Sequence, residues 1–329
     1  MSTIAGITSP VLSVKTGWQL FFHLASGKLT PGLAWKNPSY RQKFVLRSLL
    51  KPLGTAKLLS SLAQHPDLLL MLNAQPGLPC RLHRPWLSLT FDEKKTLAAL
   101  DYHYTTLCAR LPTAVRSSFF TPQGITFAEL TGKNGELYTI RFYSDPMLDK
   151  EGEATLVFCD EQRTQLAGMT FALCQYEGKR TLFIGGLQGA KANVPHDAIQ
   201  AATKSCHGLF PKRLLLEACT ELASYLDIEQ IIAVGNDTHI YQSWRYRKKK
   251  QDKLHADYDS FWESLSGEHT AEGTFRLPMF IARKTMEEIA SKKRAEYRRR
   301  YELLDSLQNQ MRQICLLYTS PSPRDRSLS

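Results

Sequence analysis

The sequence predicts an α+β protein: a helical N-terminal region, then a mixed β-sheet with packed helices, then a long basic C-terminal helix. Two observations carry this prediction. Leucine and phenylalanine recur at three- and four-residue spacing over the first part of the chain, which is typical of amphipathic helices. After Gly124 the pattern changes to period two, which is typical of strands. At 329 residues and 43% hydrophobic content, the chain is long and apolar enough to bury a substantial core.

Residues 1–115 are predicted to form a helical bundle or cap. Prolines separate three periodic apolar segments, at residues 18–24, 40–50 and 56–72. Thr90 and Glu93 have the spacing of a capping box, which predicts a helix from residue 91 to about residue 111.

Residues 116–283 are predicted to contain the sheet. Glycines at positions 132 and 135 lie between two alternating segments and predict a hairpin. Three more strands, joined by short polar turns and therefore antiparallel, are predicted at residues 155–159, 166–174 and 181–187. A mostly helical stretch then precedes a β-rich segment at 231–234. This strand–helix–strand order predicts parallel pairing, so the sheet should be mixed.

Two segments are predicted after a last strand at 273–282. Residues 284–315 should form the basic helix. Residues 316–329 are rich in Ser and Pro, lack a helical period and resemble a non-native tail. Without their two Arg and one Asp, the net charge of +11 falls only to +10, so the basic character belongs to the rest of the chain.

Composition excludes several classes of protein. No apolar run approaches the length of a spanning helix, and no basic segment precedes residues 18–24, so a cytoplasmic protein is predicted, with peripheral association at the inner membrane left open. Seven cysteines without a C-x-x-C pair fit neither a disulfide framework nor a zinc site, and no metal is predicted. A pI near 9.3 favours anionic partners.

The strand, loop, helix and strand order of the central region resembles acyltransferases of the GNAT type. In that family the loop directs backbone N–H groups at a pyrophosphate near a helix N-terminus. The resemblance implies that Gln188, Gly189 and Lys191 face an acyl-CoA donor. Lys191 and Asn193 stand where that family's loop has small residues, so their side chains would crowd a phosphate, although Lys191 would attract one.

Two polar residues after the 231–234 strand are candidates for acid–base chemistry. His239 and Asp237 follow the carboxyl end of a predicted parallel strand, where ligands of open α/β sheets bind. Histidine suits a general base because its ordinary pKa is near neutrality. The alternative is structural: Asn236 and Asp237 turn the chain and cap the next helix. Likewise, Gly185 and Gly186 need only allow a bulge or close packing.

A basic and aromatic segment follows directly. It comprises Trp244, Arg245, Tyr246, Arg247, Lys248, Lys249 and Lys250. Such residues stack bases and contact phosphates, and they also suit anionic lipid headgroups. RNA and anionic membrane are therefore both candidate partners, and a solvated basic loop is the alternative.

The combination of several segments resembles the VirK/YbjX family of Gram-negative bacteria. The segments are residues 183–189 (FIGGLQG), the helix at 211–223, residues 234–241 and residues 253–263. The resemblance implies a cytoplasmic accessory factor in virulence, envelope stress and resistance to cationic antimicrobial peptides. It implies no particular reaction. Two hypotheses remain: an acyl or aminoacyl transferase, and a non-catalytic module that binds RNA or anionic membrane.

Overall fold

The structure, a computed structural model, describes residues 14–246 and 257–317. The backbone divides into two compact units, Met1–His83 and Arg84–Ser329. Within the described residues, no helix combines the length and the apolar character that crossing a bilayer requires. The predicted boundaries at residues 115, 283 and 315 remain predictions.

The first unit is helical, as predicted. Its elements are α1 (Gly17–Ser26), α2 (Leu33–Lys36), α3 (Pro38–Leu50), α4 (Pro52–Gln64), α5 (Leu68–Ala74) and a 3-10 turn (Leu78–His83). Thr16 caps α1 by accepting from the Gln19 amide, and Gly27 ends it with φ at 80°. Helices α3 and α4 each begin with a proline. Proline has no backbone N–H, which costs nothing in the first turn because N–H groups there have no partner within the helix. The core centres on Trp35 and Phe44, whose rings lie 5.1 Å apart.

The second unit contains one eight-stranded sheet and its helices. The strands are β1 (Ile125–Thr131), β2 (Leu137–Tyr143), β3 (Ala154–Cys159), β4 (Gln165–Tyr176), β5 (Lys179–Gly189), β6 (Gln230–Val234), β7 (Glu268–His269) and β8 (Thr274–Leu277). The helices are α6 (Glu93–Arg110), α7 (Thr113–Phe119), α8 (His196–Ser205), α9 (Pro211–Tyr225), α10 (Tyr258–Glu263) and α11 (Arg294–Leu317). Within the described residues of this unit, 3-10 turns lie at Ile240–Gln242 and Ser291–Lys293.

The sheet is mixed, as predicted. Its order is β1-β2-β3-β4-β5-β6-β8-β7, and the β5–β6 pair is parallel while the other pairs are antiparallel. The hairpin between β1 and β2 is confirmed. Every residue of β3 and β6 is buried. Helix α6 packs on β4, and α9 packs on β3, β4 and β5. Strands covered in this way read as continuous apolar runs.

Two boundaries differ from the sequence predictions. The capping box at Thr90 is wrong: Asp92 caps α6 by accepting from the Lys95 amide, since its carboxylate reaches the open first turn. The terminal helix begins at Arg294, ten residues after the predicted start, and residues 278–290 form no regular element. Its apolar side is buried and consists of Leu303, Leu304, Leu307 and Met311.

Candidate functional site

The pairing of the two parallel strands ends at a bulge. β5 and β6 pair up to the partners Ile184 and Ala233. The next residue of β5, Gly185, is an extra residue in the register with β4. A bulge bends its strand and increases the local twist. β6 ends at Val234 whereas β5 continues to Gly189, so the last part of β5 has no β6 partner.

A buried acidic side chain packs against this bulge. Glu151 lies in the loop between β2 and β3 and is 1% exposed. A Cβ on Gly186 would lie 2.0 Å from Glu151 Oε2, and a Cβ on Gly185 would lie 2.1 Å from the Glu151 main-chain oxygen. Only glycine leaves room for Glu151 at both positions. The structural alternative for these glycines, a bulge with close packing, is thus confirmed, and the group they accommodate is a carboxyl group.

Three polar side chains converge on that carboxyl group. Gln188 Nε2 lies 2.9 and 2.8 Å from its two oxygens. The Tyr241 hydroxyl is hydrogen-bonded to Glu151, and His239 Nε2 lies 3.7 Å from Oε1. Burial, together with the nearby Glu151 charge, raises the pKa of Tyr241, so its phenol is protonated at neutral pH. Neutral polar groups therefore surround the buried Glu151 carboxyl group. A carboxyl group removed from water needs hydrogen-bond donors of this kind in place of the lost water.

The surroundings of His239 determine its protonation. Its side chain is buried, and Nδ1 accepts a hydrogen bond from the Tyr241 amide at 3.2 Å. The hydrogen of the neutral ring is therefore on Nε2, the atom that faces Glu151. Burial lowers the pKa of His239 to about 4. Nε2 lies too far from Glu151 for a hydrogen bond and has no hydrogen-bond partner among the described residues. His239 therefore packs beside Glu151 as a buried neutral ring.

The gap beside β5 is occupied by α10. The Leu187 amide donates to the Tyr258 hydroxyl at 3.2 Å, and the Tyr258 ring stacks on His239 with centroids 5.1 Å apart. Trp262 Nε1 donates to the Val234 carbonyl at 2.9 Å, which satisfies the end of β6. We call Glu151, Gln188, His239, Tyr241 and Tyr258 the Glu151 cluster.

Asn236 positions α10. Its side-chain oxygen accepts from the Tyr258 amide at 2.8 Å, and its own amide donates to Asp259 Oδ1 at 2.7 Å. Asn236 thus ties the turn after β6 to the start of α10, close to the capping role that the sequence left open for it.

The structure brings some predicted site residues together and separates others. Gln188 and His239 both belong to the Glu151 cluster. Asp237 is exposed at the turn after β6, and Gly189 and Lys191 are exposed at the end of β5 and in the loop before α8.

One of the predicted polyanion-binding residues can be placed. Arg245 is half-buried just after the 3-10 turn. Arg247, Lys248, Lys249 and Lys250 lie outside the described residues.

Sequence reasoning missed Glu151, Tyr241 and Tyr258. One signal was available: two acids with a glycine between them, at positions 151 and 153, directly precede an apolar strand. The second acid, Glu153, is also buried and accepts from Trp86 Nε1 at 2.9 Å and from the Tyr104 hydroxyl at 2.6 Å.

Comparison with known proteins extends over most of the chain. Residues 34–313 match the family described as "Protein of unknown function (DUF535)". The chain is 52% identical over 292 residues to "Uncharacterized protein YbjX" of Escherichia coli K12. This alignment covers 89% of this chain and 88% of that protein. Two uncharacterized proteins of Haemophilus influenzae Rd are 34% identical over 133 residues and 32% identical over 127 residues. These two matches cover 40% and 38% of this chain, and 44% and 41% of those proteins.

Proposed function

We propose that this chain, which belongs to the DUF535 family, is a transferase of acyl or aminoacyl type that uses Glu151 as its proton-transfer group. Its similarity to YbjX agrees with the resemblance read from the sequence. The observation that carries the proposal is the buried carboxyl group at the point where the only parallel strand pair of the described sheet stops pairing. A buried acid at the carboxyl end of a parallel strand pair, where ligands of such sheets bind, is a candidate for function.

The proposed chemistry follows from the protonation of the cluster. An amine or hydroxyl acceptor attacks a thioester carbonyl, so a C–N or C–O bond forms and the C–S bond breaks. Glu151 takes the proton that the acceptor loses, and the Tyr241 phenol gives its proton to the leaving thiolate. Proton transfer from Glu151 to Tyr241 then restores both groups. Gln188 holds the carboxylate in place through its hydrogen bonds and is a positioning residue, and the neutral His239 ring packs beside it.

The donor would lie along the part of β5 that β6 leaves unpaired. Gln188, Gly189 and Lys191 remain the proposed donor contacts, with acyl-CoA as the proposed carrier. The Leu187 amide already donates a hydrogen bond to the Tyr258 hydroxyl. A carrier that pairs with this amide must therefore displace that hydroxyl.

The test separates binding from transfer. Thermal unfolding is measured with several acyl-CoA donors at millimolar concentration, and thiol release is measured with amine and hydroxyl acceptors. We expect Glu151→Gln to retain donor stabilisation and to lose thiol release by roughly two orders of magnitude or more. Glu153→Gln, which changes the other buried acid, is the matched control and should retain release. No thermal shift with any donor would overturn the enzymatic proposal.

A second candidate function, polyanion binding, is favoured by the start of the terminal helix. Lys292, Lys293, Arg294, Arg298 and Arg299 are all exposed there. Arg299 also lines a cavity of about 610 Å³ together with Lys133 and His207. Phosphate contacts of this kind weaken steeply with salt.

RNA is the polyanion that tests this second candidate. Binding of single-stranded RNA should fall when salt rises, and Arg298→Gln/Arg299→Gln should reduce the salt slope by about 1.4, or about 0.7 for each lost phosphate contact. Neutralising Arg247, Lys248 and Lys249 tests the other predicted segment in the same assay. A slope that neither variant changes would exclude both segments.

The biological setting is proposed from the VirK/YbjX resemblance: a cytoplasmic role in envelope stress, virulence and resistance to cationic antimicrobial peptides. A strain without the gene should lose survival in a cationic peptide. The wild-type gene should restore survival, whereas the Glu151→Gln variant should not. If both genes restored survival equally, resistance to the peptide would not depend on the proposed proton transfer by Glu151.

A further inference from the structure

The first unit exposes an unusual amount of apolar surface. Six large side chains of α1, α3 and α4 are 60–82% exposed: Trp18, Phe22, Leu46, Leu49, Leu50 and Leu53. We call these six residues the apolar face. Single exposed leucines are ordinary, but a group of them on one small helical unit indicates a binding surface.

Contacts join Trp18, Phe22 and Leu49, and the three- and four-residue spacing of Leu46 from Leu49 and Leu50 puts those three on one side of α3. Trp18 and Leu49 line the same depression, of about 100 Å³, which Phe21 and Pro52 also line. The rings of Trp18 and Phe22 stack with centroids 6.2 Å apart. The start of α1, the end of α3 and the start of α4 therefore contribute to a shared apolar patch.

The same unit carries most of the excess positive charge. Residues 1–83 contain six Lys and three Arg against a single acid, Asp67, which gives +8 of the total +11. The remaining 246 residues therefore contribute only +3. Lys15, Lys43, Arg47 and Lys57 are exposed on the elements that carry the apolar face or, for Lys15, just before α1.

We infer that the apolar face docks on an anionic lipid surface. Exposed Trp, Phe and Leu side chains insert at the boundary between headgroups and acyl chains, and surrounding Lys and Arg are attracted to anionic headgroups. A second copy of the chain fits less well, because two units of +8 repel each other when their faces meet. RNA fits less well because it offers no apolar medium for exposed leucines. This inference is independent of the proposed transferase activity.

The full-length protein is sedimented with vesicles of phosphatidylcholine and with vesicles that also contain phosphatidylglycerol. We expect binding to the anionic vesicles, reduced at high salt. Leu50→Ser/Leu53→Ser should weaken that binding roughly tenfold or more, since two side chains no longer leave water. Lys43→Gln/Arg47→Gln should weaken it as well and should reduce the dependence on salt.

The matched control is Met147→Ser/Phe280→Ser, which removes two apolar side chains of the second unit that are 83% and 66% exposed, against 82% and 78% for Leu50 and Leu53. Circular dichroism and thermal unfolding confirm that each variant is folded. Equal binding by the wild type and Leu50→Ser/Leu53→Ser would overturn the inference. So would a wild-type dimer in light scattering that becomes monomeric in this variant, because the face would then join two copies.

Discussion

The Tyr258 hydroxyl accepts a hydrogen bond from the Leu187 amide at 3.2 Å, beside the end of the β5–β6 pairing. In a sheet that continued, a neighbouring strand would satisfy that amide. Here a side chain from α10 does so, because β6 ends at Val234 and leaves this part of β5 without a strand partner on that side. The same aromatic ring packs on His239, so one residue links the unpaired strand to the buried acid.

Tyr258→Phe tests this link. The ring is kept, but the Leu187 amide loses its acceptor while the site stays buried. We expect the free energy of unfolding in urea to fall by about 1–3 kcal/mol, and hydrogen exchange at Leu187 to accelerate. If the proposed donor pairs with β5, the variant should also bind acyl-CoA more tightly.

Tyr225→Phe is the control for this prediction. It removes a hydroxyl that donates to the Arg110 carbonyl at an exposed site, where water replaces the lost bond. An equal loss of stability in both variants would contradict the special role of the Leu187 amide.

Gly186→Ala should force the Glu151 carboxyl group out of place. The added Cβ would lie 2.0 Å from Glu151 Oε2, and overpacking of this kind costs about 1–3 kcal/mol. Adding Glu151→Ala removes the clashing atoms, so the double variant should recover much of that loss in a double-mutant cycle.

Gly185→Ala is the matched comparison. Its Cβ would meet the main-chain oxygen of Glu151 at 2.1 Å, and shortening the Glu151 side chain leaves that oxygen in place. The loss should persist in the double variant. Recovery in both pairs would show that the loop moves as a whole and that side-chain packing is not the cause.

Stability should fall in acid because of two buried histidines. Burial lowers the pKa of His103 to about 3 and that of His239 to about 4, below the ordinary value of 6.5. As pH falls below 6.5, the unfolded chain takes up these protons and the native chain does not. Each histidine should then remove stability, on the order of 1.4 kcal/mol per pH unit, until the pH reaches its native pKa.

His103→Gln checks the sign and the source of this effect. His103 Nδ1 accepts from the Leu173 amide at 3.0 Å, and a glutamine oxygen supplies the same acceptor without titrating. Free energies of unfolding at pH 7 and pH 5 should differ less in the variant than in the wild type. An unchanged difference would assign the acid sensitivity to other groups.

Most secondary structure could be predicted because it depends on local patterns. The tight turn between β4 and β5 required antiparallel pairing, and the helices between β5 and β6 required a crossover to a parallel partner. The start of α6 was misplaced because Asp92 lies between Thr90 and Glu93, the two residues of the predicted capping box. Its carboxylate caps the same first-turn N–H groups.

The candidate site was only partly predictable. His239 follows the end of β6, where the rule that ligands bind at the carboxyl ends of strands pointed to it, whereas Gln188 was found through the resemblance of its loop to acyltransferases. Glu151 is in a loop distant in sequence from both, and no periodicity marks a loop side chain that turns inward. Its burial depends on two glycines of another strand that leave space for it.

The sequence alone determined the α+β architecture, the mixed sheet with its parallel β5–β6 pair and the positive charge, because spacing, turn length and composition are local properties of the chain. Only the tertiary structure decided that Glu151 lies beneath the bulge of β5 and that Trp18 and Leu49 share one exposed surface. Burial and exposure are set by which elements pack together, and that packing joins residues whose separation along the chain carries no signal.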